Sequence, residues 1–308
     1  MAARADDTPV AQQIVDSMNV LWGQHPGFRA NHAKGIVAEG AFTPSPEAAT
    51  LSRATLFQGP GVPVTVRFSD STGLPTLPDG SPQANPHGMA IKFHGAGGEV
   101  DIVANALKFF PVATGEDFAA FFNAVRASGP NAPHPTAVQR FFATHPAVPA
   151  AFGSAGTPSS FARETYHGID AFVFVDKSGK RQAFRYLIEP LAGEDHLSPD
   201  AAARQPPNFL RDELRTRLAA GPVVFHLRAQ LAAPGDQTKD PTKPWPSGRH
   251  VADLGTITLT KVDADSAAAE KSLLFLPGNL ADGIEPSDDP LIDTRNQAYA
   301  ISFGRRSP

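Results

Sequence analysis

The 308-residue chain contains no cysteine, and only three tyrosines, three methionines and two tryptophans. Each shortage removes options. Without cysteine there is no disulfide framework, no thiolate-ligated zinc, iron–sulfur cluster or haem, and no cysteine nucleophile. No apolar run approaches the roughly 18 residues of a membrane helix, and the start lacks the apolar stretch of a signal peptide. Ala3-Arg4-Ala5, ahead of Asp6-Asp7, has the small-x-small pattern of a cleavage site. A periplasmic protein whose leader has been removed and a cytoplasmic protein with a polar N-terminus are therefore both open. A net charge of −4 argues against nucleic acid or an anionic membrane as partner. Also missing are GxGxxG, the P-loop, HExxH and GxSxG, and the ten histidines include no pair at metal-ligand spacing.

What remains is an ordinary globular composition, with 41% hydrophobic and 19% charged residues, 21 phenylalanines, 30 prolines and 26 glycines. Thr8-Pro9 opens a helix whose apolar face carries Val10, Ile14, Met18 and Leu21, with Val15 and Trp22 beside it. Strand-like runs separated by Gly/Pro turns follow at 62–68, 88–93, 100–104, 171–176, 182–189, 222–231 and 254–262. Lys177-Ser178-Gly179-Lys180 reads as a hairpin turn. Helical patterns interrupt at 116–127, 135–143 and 199–220, a Pro-rich loop covers 233–248, and an amphipathic segment at 288–302 closes the chain. Many antiparallel strands with inserted helices predict one α+β domain built on a barrel or a large sheet.

Four short constellations carry candidate chemistry, and each also has a plain structural reading. In Arg29-Ala30-Asn31-His32-Ala33-Lys34-Gly35 a histidine lies among cations. It is either a structural loop residue or a general base beside an anionic cofactor. In Val64-Thr65-Val66-Arg67-Phe68-Ser69, alternation puts Arg67 and Ser69 on one face, which is either solvated or buried with partners. Asn105 ends the strand Asp101-Ile102-Val103-Ala104-Asn105, ahead of Phe109-Phe110. It serves as a turn residue or as an amide donor beside aromatic walls. Arg295 and Tyr299 stand at i and i+4 on the last helix, as an ordinary pair or as a guanidinium favouring a phenolate that could ligate ferric haem.

Taken in order, these segments resemble the haem catalase family. Arg29-Ala30-Asn31-His32-Ala33-Lys34-Gly35 is similar to its distal-histidine motif, and Val66-Arg67-Phe68-Ser69 to its V-R-F-S strand. Asn85-Pro86-His87-Gly88-Met89-Ala90-Ile91-Lys92-Phe93 resembles D-P-R-G-F-A-V-K-F, and Asp101-Ile102-Val103-Ala104-Asn105 resembles D-L-V-G-N. Tyr166-His167-Gly168 through Phe174, Trp245-Pro246 and Gly283-Ile284-Glu285-Pro286-Ser287 also fall in family order, and the proximal R-x-x-x-Y matches Arg295 and Tyr299. The match runs over about residues 26 to 306.

The resemblance implies a catalase-like eight-stranded antiparallel β-barrel with inserted and C-terminal helices, binding haem b. It implies a single catalase core over 1–308: an N-terminal helix in 1–25, the haem-binding barrel in 26–262, and a proximal-tyrosine segment in 263–308. By analogy, His32, Ser69 and Asn105 are catalytic and Tyr299 is the axial iron ligand supported by Arg295. Arg29, Arg67 and Arg306 meet the haem propionates, Phe109 and Phe110 wall the distal side, and Asp289 orients Arg295. An unperturbed histidine pKa near 6.5 suits the base role at neutral pH. Only nine residues follow Tyr299, which resembles the minimal catalase-related peroxidases, so NADPH is not expected.

The chain also departs from the family. Asn85 stands where the family has a channel aspartate, Asn31 where it has a valine, and the segment between Asn105 and Phe109 is one residue short. These departures favour peroxidase turnover with hydrogen peroxide and small organic electron donors, with some catalase activity. An enzyme acting on lipid hydroperoxides like the allene oxide synthases, and a non-enzymatic haem carrier, are the rival readings. A homodimer or another homo-oligomer is open.

Overall fold

The computed structural model describes residues 8–306, so Ala3-Arg4-Ala5 lies outside the described residues. Ten strands build the main sheet: β1 Gly35–Pro44, β2 Val62–Ser69, β3 Gly88–Gly95, β4 Gly98–Asn105, β5 Tyr166–His167, β6 Phe172–Val175, β7 Arg181–Pro190, β8 Val223–Leu231, β9 Val251–Val262 and β10 Ile284–Pro286. Every pairing is antiparallel. Eight of the strands close into a ring in the order β8-β9-β1-β2-β3-β4-β5-β7, and β7 pairs back onto β8. β6 continues the line of β5 along β7, and β10 adds to its free edge. Closure removes the exposed edges that make open sheets sticky.

Alternation fixes what each strand sends inside. On β2, Val64, Val66 and Phe68 enter the core, and on β3 Met89, Ile91 and Phe93 do so. The barrel is filled largely by phenylalanine: Phe42, Phe68, Phe93, Phe174, Phe184 and Phe225 are all buried. Each such ring contributes about 1.5–3 kcal/mol by leaving water, which accounts for much of the phenylalanine excess. The opposite positions on β2–β4, among them Arg67, Ser69, Ala90, Val103 and Asn105, therefore face out of the barrel.

That outer face is covered. Helices α1 Val10–Trp22, α2 Gly115–Arg126, α3 Ala137–Thr144, α4 Ala147–Phe152, α5 Phe209–Ala220, α6 Ser266–Ser272 and α7 Pro290–Arg306 follow in chain order. Three of them, α1, α2 and α7, pack together through Ile14, Val15, Met18, Ala119, Phe122 and Ala298. α5 seals another part of the barrel with Leu210, Leu214 and Leu218.

Two differences from the sequence pattern have physical causes. The helix expected over 199–220 is two helices, Pro199–Ala203 and α5, because Pro206 and Pro207 cannot continue the first. β1 carries glycines that obscure its strand pattern. At Gly40 the register against β9 shifts, and an added Cβ would meet the Thr258 carbonyl oxygen at 2.0 Å.

Candidate active site

Between the outer face of β2–β4 and the α1/α7 pair lies a cavity that leaves about 170 Å³ open to the centres of water molecules. That is roughly ten times the space one water requires. His32, Arg67, Ser69 and Asn105 from the strand side, and Arg295, Tyr299 and Arg306 from α7, line it together with Arg29 and Phe110. Sites more than 250 residues apart in sequence thus meet in one place. Phe109, expected as a wall, is not among the lining residues; it is half-buried outside them, and Phe118 takes that place beside Phe110, ring centroids 5.3 Å apart. The α1 side chains Ile14, Val15 and Met18 also line the cavity. Their helical spacing was legible as an apolar face, but nothing in it distinguishes a cavity wall from ordinary core.

His32 sits at φ 54°, in the left-handed region that costs a non-glycine residue about 1–3 kcal/mol. Two contacts hold it there. Its backbone N–H donates to Asn31 Oδ1 at 2.9 Å, and its carbonyl accepts from Arg67 Nη2 at 2.8 Å. Its Nδ1 lies 3.1 Å from Ser69 Oγ. Gly88, the register partner of Ser69, leaves room for the ring: an added Cβ would stand 3.0 Å from His32 Cε1. Burial first, then the cations Arg67, Arg29 and Arg295, push the His32 pKa down to about 3. The unperturbed value expected from sequence is therefore corrected, and the imidazole is neutral at physiological pH. Asn105 makes the turn and also reaches the cavity. Its Oδ1 accepts from the Leu107 N–H at 2.8 Å as a turn residue, and the side chain still lines the cavity.

On α7, Arg295 donates to Tyr299 Oη from Nε at 3.2 Å and from Nη2 at 3.1 Å. The carboxylate that holds Arg295 is Asp170, which accepts from Nη1, and not the expected Asp289. Asp289 Oδ1 instead accepts from the Leu291 N–H at 2.9 Å. Burial works against the Arg295 charge, but Asp170 and Tyr299 hold its pKa above the ordinary guanidinium range.

Arg29, Arg67 and Arg306 gather around one carboxylate, Glu270 of α6, which sequence reasoning had not singled out. Arg67 reaches Glu270 Oε2 from Nη2 at 2.7 Å and from Nε at 2.9 Å; Arg29 Nη1 stands 3.8 Å from the same oxygen. Arg29 Nη2 donates to the Leu273 carbonyl at 2.8 Å, and Arg306 donates to that carbonyl as well. Arg29 and Arg67 thus share a single counterion, and Arg306 joins Arg29 at the Leu273 carbonyl. Burial, then Arg67 and Arg306, lower Arg29; burial, then Arg67, lower Arg306 to about 10. Arg306 Nε is buried without a partner. This set fits a flat apolar ligand with two carboxylates at one edge and a metal within reach of a phenol oxygen, as haem has.

A family model described as catalase matches residues 16–306. A catalase-related peroxidase of Mycolicibacterium paratuberculosis is 36% identical over 96% of this chain and 94% of its own length. Another, from Synechococcus elongatus, is 33% identical over 96% of this chain and 88% of its own. A solved bacterial catalase superposes with a TM-score of 0.81 at 23% identity, covering 99% of this chain, which spans 63% of that one. The barrel, the cavity against its outer wall and these similarities agree: the chain belongs to the catalase family.

Proposed function

We propose that the protein is a haem hydroperoxidase that reduces hydrogen peroxide, chiefly as a peroxidase with small organic electron donors and with some catalase activity. The observation that carries this reading is the meeting of His32, Asn105, Tyr299 and the three arginines on one apolar cavity. Haem b is the form proposed. Tyr299 would hold its iron, and Arg29, Arg67 and Arg306 its propionates. Bound there, haem supplies the redox centre at which the O–O bond of peroxide is reduced.

The chain's own residues do the rest. His32 Nε2 takes a proton from peroxide and returns it to the departing oxygen, while Ser69 fixes the ring through Nδ1. Arg29 and Arg67, once paired with haem propionates, would depress the His32 pKa less, leaving the shares due to burial and to Arg295. Asn105 positions peroxide through its amide, a donor that does not titrate. Arg295 neutralises negative charge on the Tyr299 oxygen, and Asp170 holds Arg295 in place. Asn31, which lines the cavity where a valine is usual, makes its wall more polar, and with Asn85 standing where an aspartate is usual this favours turnover with organic donors over rapid disproportionation of peroxide.

The test is reconstitution with haem, followed by oxygen evolution and dye oxidation with hydrogen peroxide. Both activities are expected, and His32→Ala is expected to lose them while retaining the haem absorption band. Bound haem with neither activity contradicts the reading.

A further inference from the structure

Helix α6 is fastened to the molecule mainly by charge. Of its seven residues only Ser266 is buried, and none of its three alanines is. A helix this short, with no apolar side chain fully buried, does not hold its place in water by itself. Its flanks are pinned. On one side Ser266 Oγ accepts from the Val37 N–H at 2.9 Å. On the other, the Leu276 N–H and Asn279 Nδ2 donate to Asp101 Oδ2 at 3.0 and 3.1 Å. Between these pins the arginines hold the chain. Arg29 Nη1 donates to the Glu270 carbonyl at 3.2 Å, and Arg29 and Arg306 both donate to the Leu273 carbonyl. Arg67 donates to Glu270 Oε2 from both Nε and Nη2. Leu274 and Phe275, which follow, line the cavity. Residues 267–275 thus form a strap along the arginine side of the cavity, tied at its middle by guanidinium contacts.

The guanidiniums that tie the strap are the ones assigned to the propionates. A carboxylate grips a guanidinium best through two parallel N–H groups, and either such pair on Arg67 includes Nε or Nη2. Glu270 occupies both, and Nη2 serves the His32 carbonyl as well. A propionate can therefore take Arg67 in that manner only where Glu270 lets go. The charges favour the exchange. Three guanidiniums against Glu270 leave two positive charges at this edge, and two propionates cancel them. The Glu270 side chain is already 14% exposed, against 3% for Arg67, so it has water to turn toward.

We propose that residues 267–275 are the port through which haem enters, with Glu270 standing in for a propionate on Arg67 in the haem-free protein. An incoming propionate takes Arg67, Glu270 turns toward solvent, and the strap, untied at its middle, swings aside. Glu270 thereby sets specificity, because only a ligand with a free carboxylate at that edge displaces it.

The inference rests on the haem reading above, and the experiment separates the two. Haem-free unmodified protein, Glu270→Gln and Glu270→Asp are mixed with haem or haem dimethyl ester, and uptake is followed by stopped-flow absorbance. With haem, both variants are expected to be faster by about tenfold, because the charge-assisted bonds to Arg67 no longer have to break. Aspartate keeps the charge but withdraws it by one methylene. Faster uptake by Glu270→Gln alone would mark long-range attraction of an anion and overturns the inference. The dimethyl ester carries no carboxylate to displace Glu270, so the three proteins are expected to take it up equally slowly. The same acceleration with the ester would mark a loosened fold and also overturns the inference. Unmodified protein that takes up no haem overturns the proposed function and this inference with it, whereas haem uptake at one rate by all three overturns the inference alone. A crystal structure of the haem-loaded unmodified protein is an independent check: Arg67 should meet a propionate, and Glu270 still bonded to Arg67 overturns the exchange.

Discussion

Replacing Gly88 with alanine separates the geometry of His32 from the stability of the fold. The added methyl would lie 3.0 Å from His32 Cε1, 3.0 Å from Ser69 Oγ and 3.1 Å from His32 Nδ1, where ordinary contacts begin at 3.4 Å. The imidazole and the hydroxyl must give way by a few tenths of an ångström. Their 3.1 Å hydrogen bond has little slack, because beyond about 3.5 Å it no longer counts as one. A lost neutral hydrogen bond costs about 1 kcal/mol, while alanine for glycine recovers about 0.4–1 kcal/mol by restricting the unfolded chain. Net stability should therefore stay within about 1 kcal/mol of the original. The reaction is less forgiving, since misplacing a reacting group by about 1 Å costs up to 10²-fold. Gly88→Ala is expected to lower the peroxidase rate of the haem-reconstituted protein by up to about 10-fold, with haem content and the denaturant midpoint nearly unchanged. An unaltered rate refutes the role given to Gly88, as does a rate loss that merely follows haem loss.

Glu270→Gln removes the one counterion shared by Arg29 and Arg67 and should destabilise the haem-free protein by about 1–3 kcal/mol, measured by denaturant unfolding. Its affinity for haem should rise, because two propionates then meet three uncompensated guanidiniums. Unchanged stability and affinity contradict that arrangement. Asp289, raised to about 7 by burial and by Asp170, gives a pH-dependent test. An acid with a raised folded pKa leaves the fold unpenalised below its unfolded value near 3.9 and costs stability progressively as pH climbs to the folded value. Asp289→Asn should thus be neutral near pH 4 and stabilise the haem-free protein by up to about 4 kcal/mol above pH 7. A gain that is the same at both ends contradicts a buried, strained carboxylate.

Residue chemistry at fixed spacing was legible wherever the proposed function calls for a particular side chain. His32, Arg67, Ser69, Asn105, Arg295, Tyr299 and the outer cations are read from short runs, and the structure brings them to one cavity. The longer strands were legible by their apolar alternation, except β1, whose Gly35 and Gly40 make close backbone approaches in place of packing; β5 and β10, two and three residues long, are too short to show an alternation. A Cβ on Gly35 would meet Arg67 Nη2 at 2.4 Å. The supporting partners were not legible. Asp170 and Glu270 are ordinary carboxylates in the sequence, and only the folded chain sets one against Arg295 and the other among three guanidiniums. The same holds for the facing of Arg67 and Ser69. Alternation places them on one side of β2, but it takes α1 and α7 to turn that outer side into a buried one. Phe109 and Phe110 are equivalent by sequence, and the turn made by Asn105 sends only Phe110 into the cavity.

The central claim is that the cavity holds haem through the Tyr299 oxygen. Resonance Raman spectra of the reconstituted protein and of Tyr299→Phe measure this directly. The account predicts iron–phenolate bands in the first and their absence in the second, together with far weaker haem retention. Identical spectra and equal haem affinity in the two proteins contradict it.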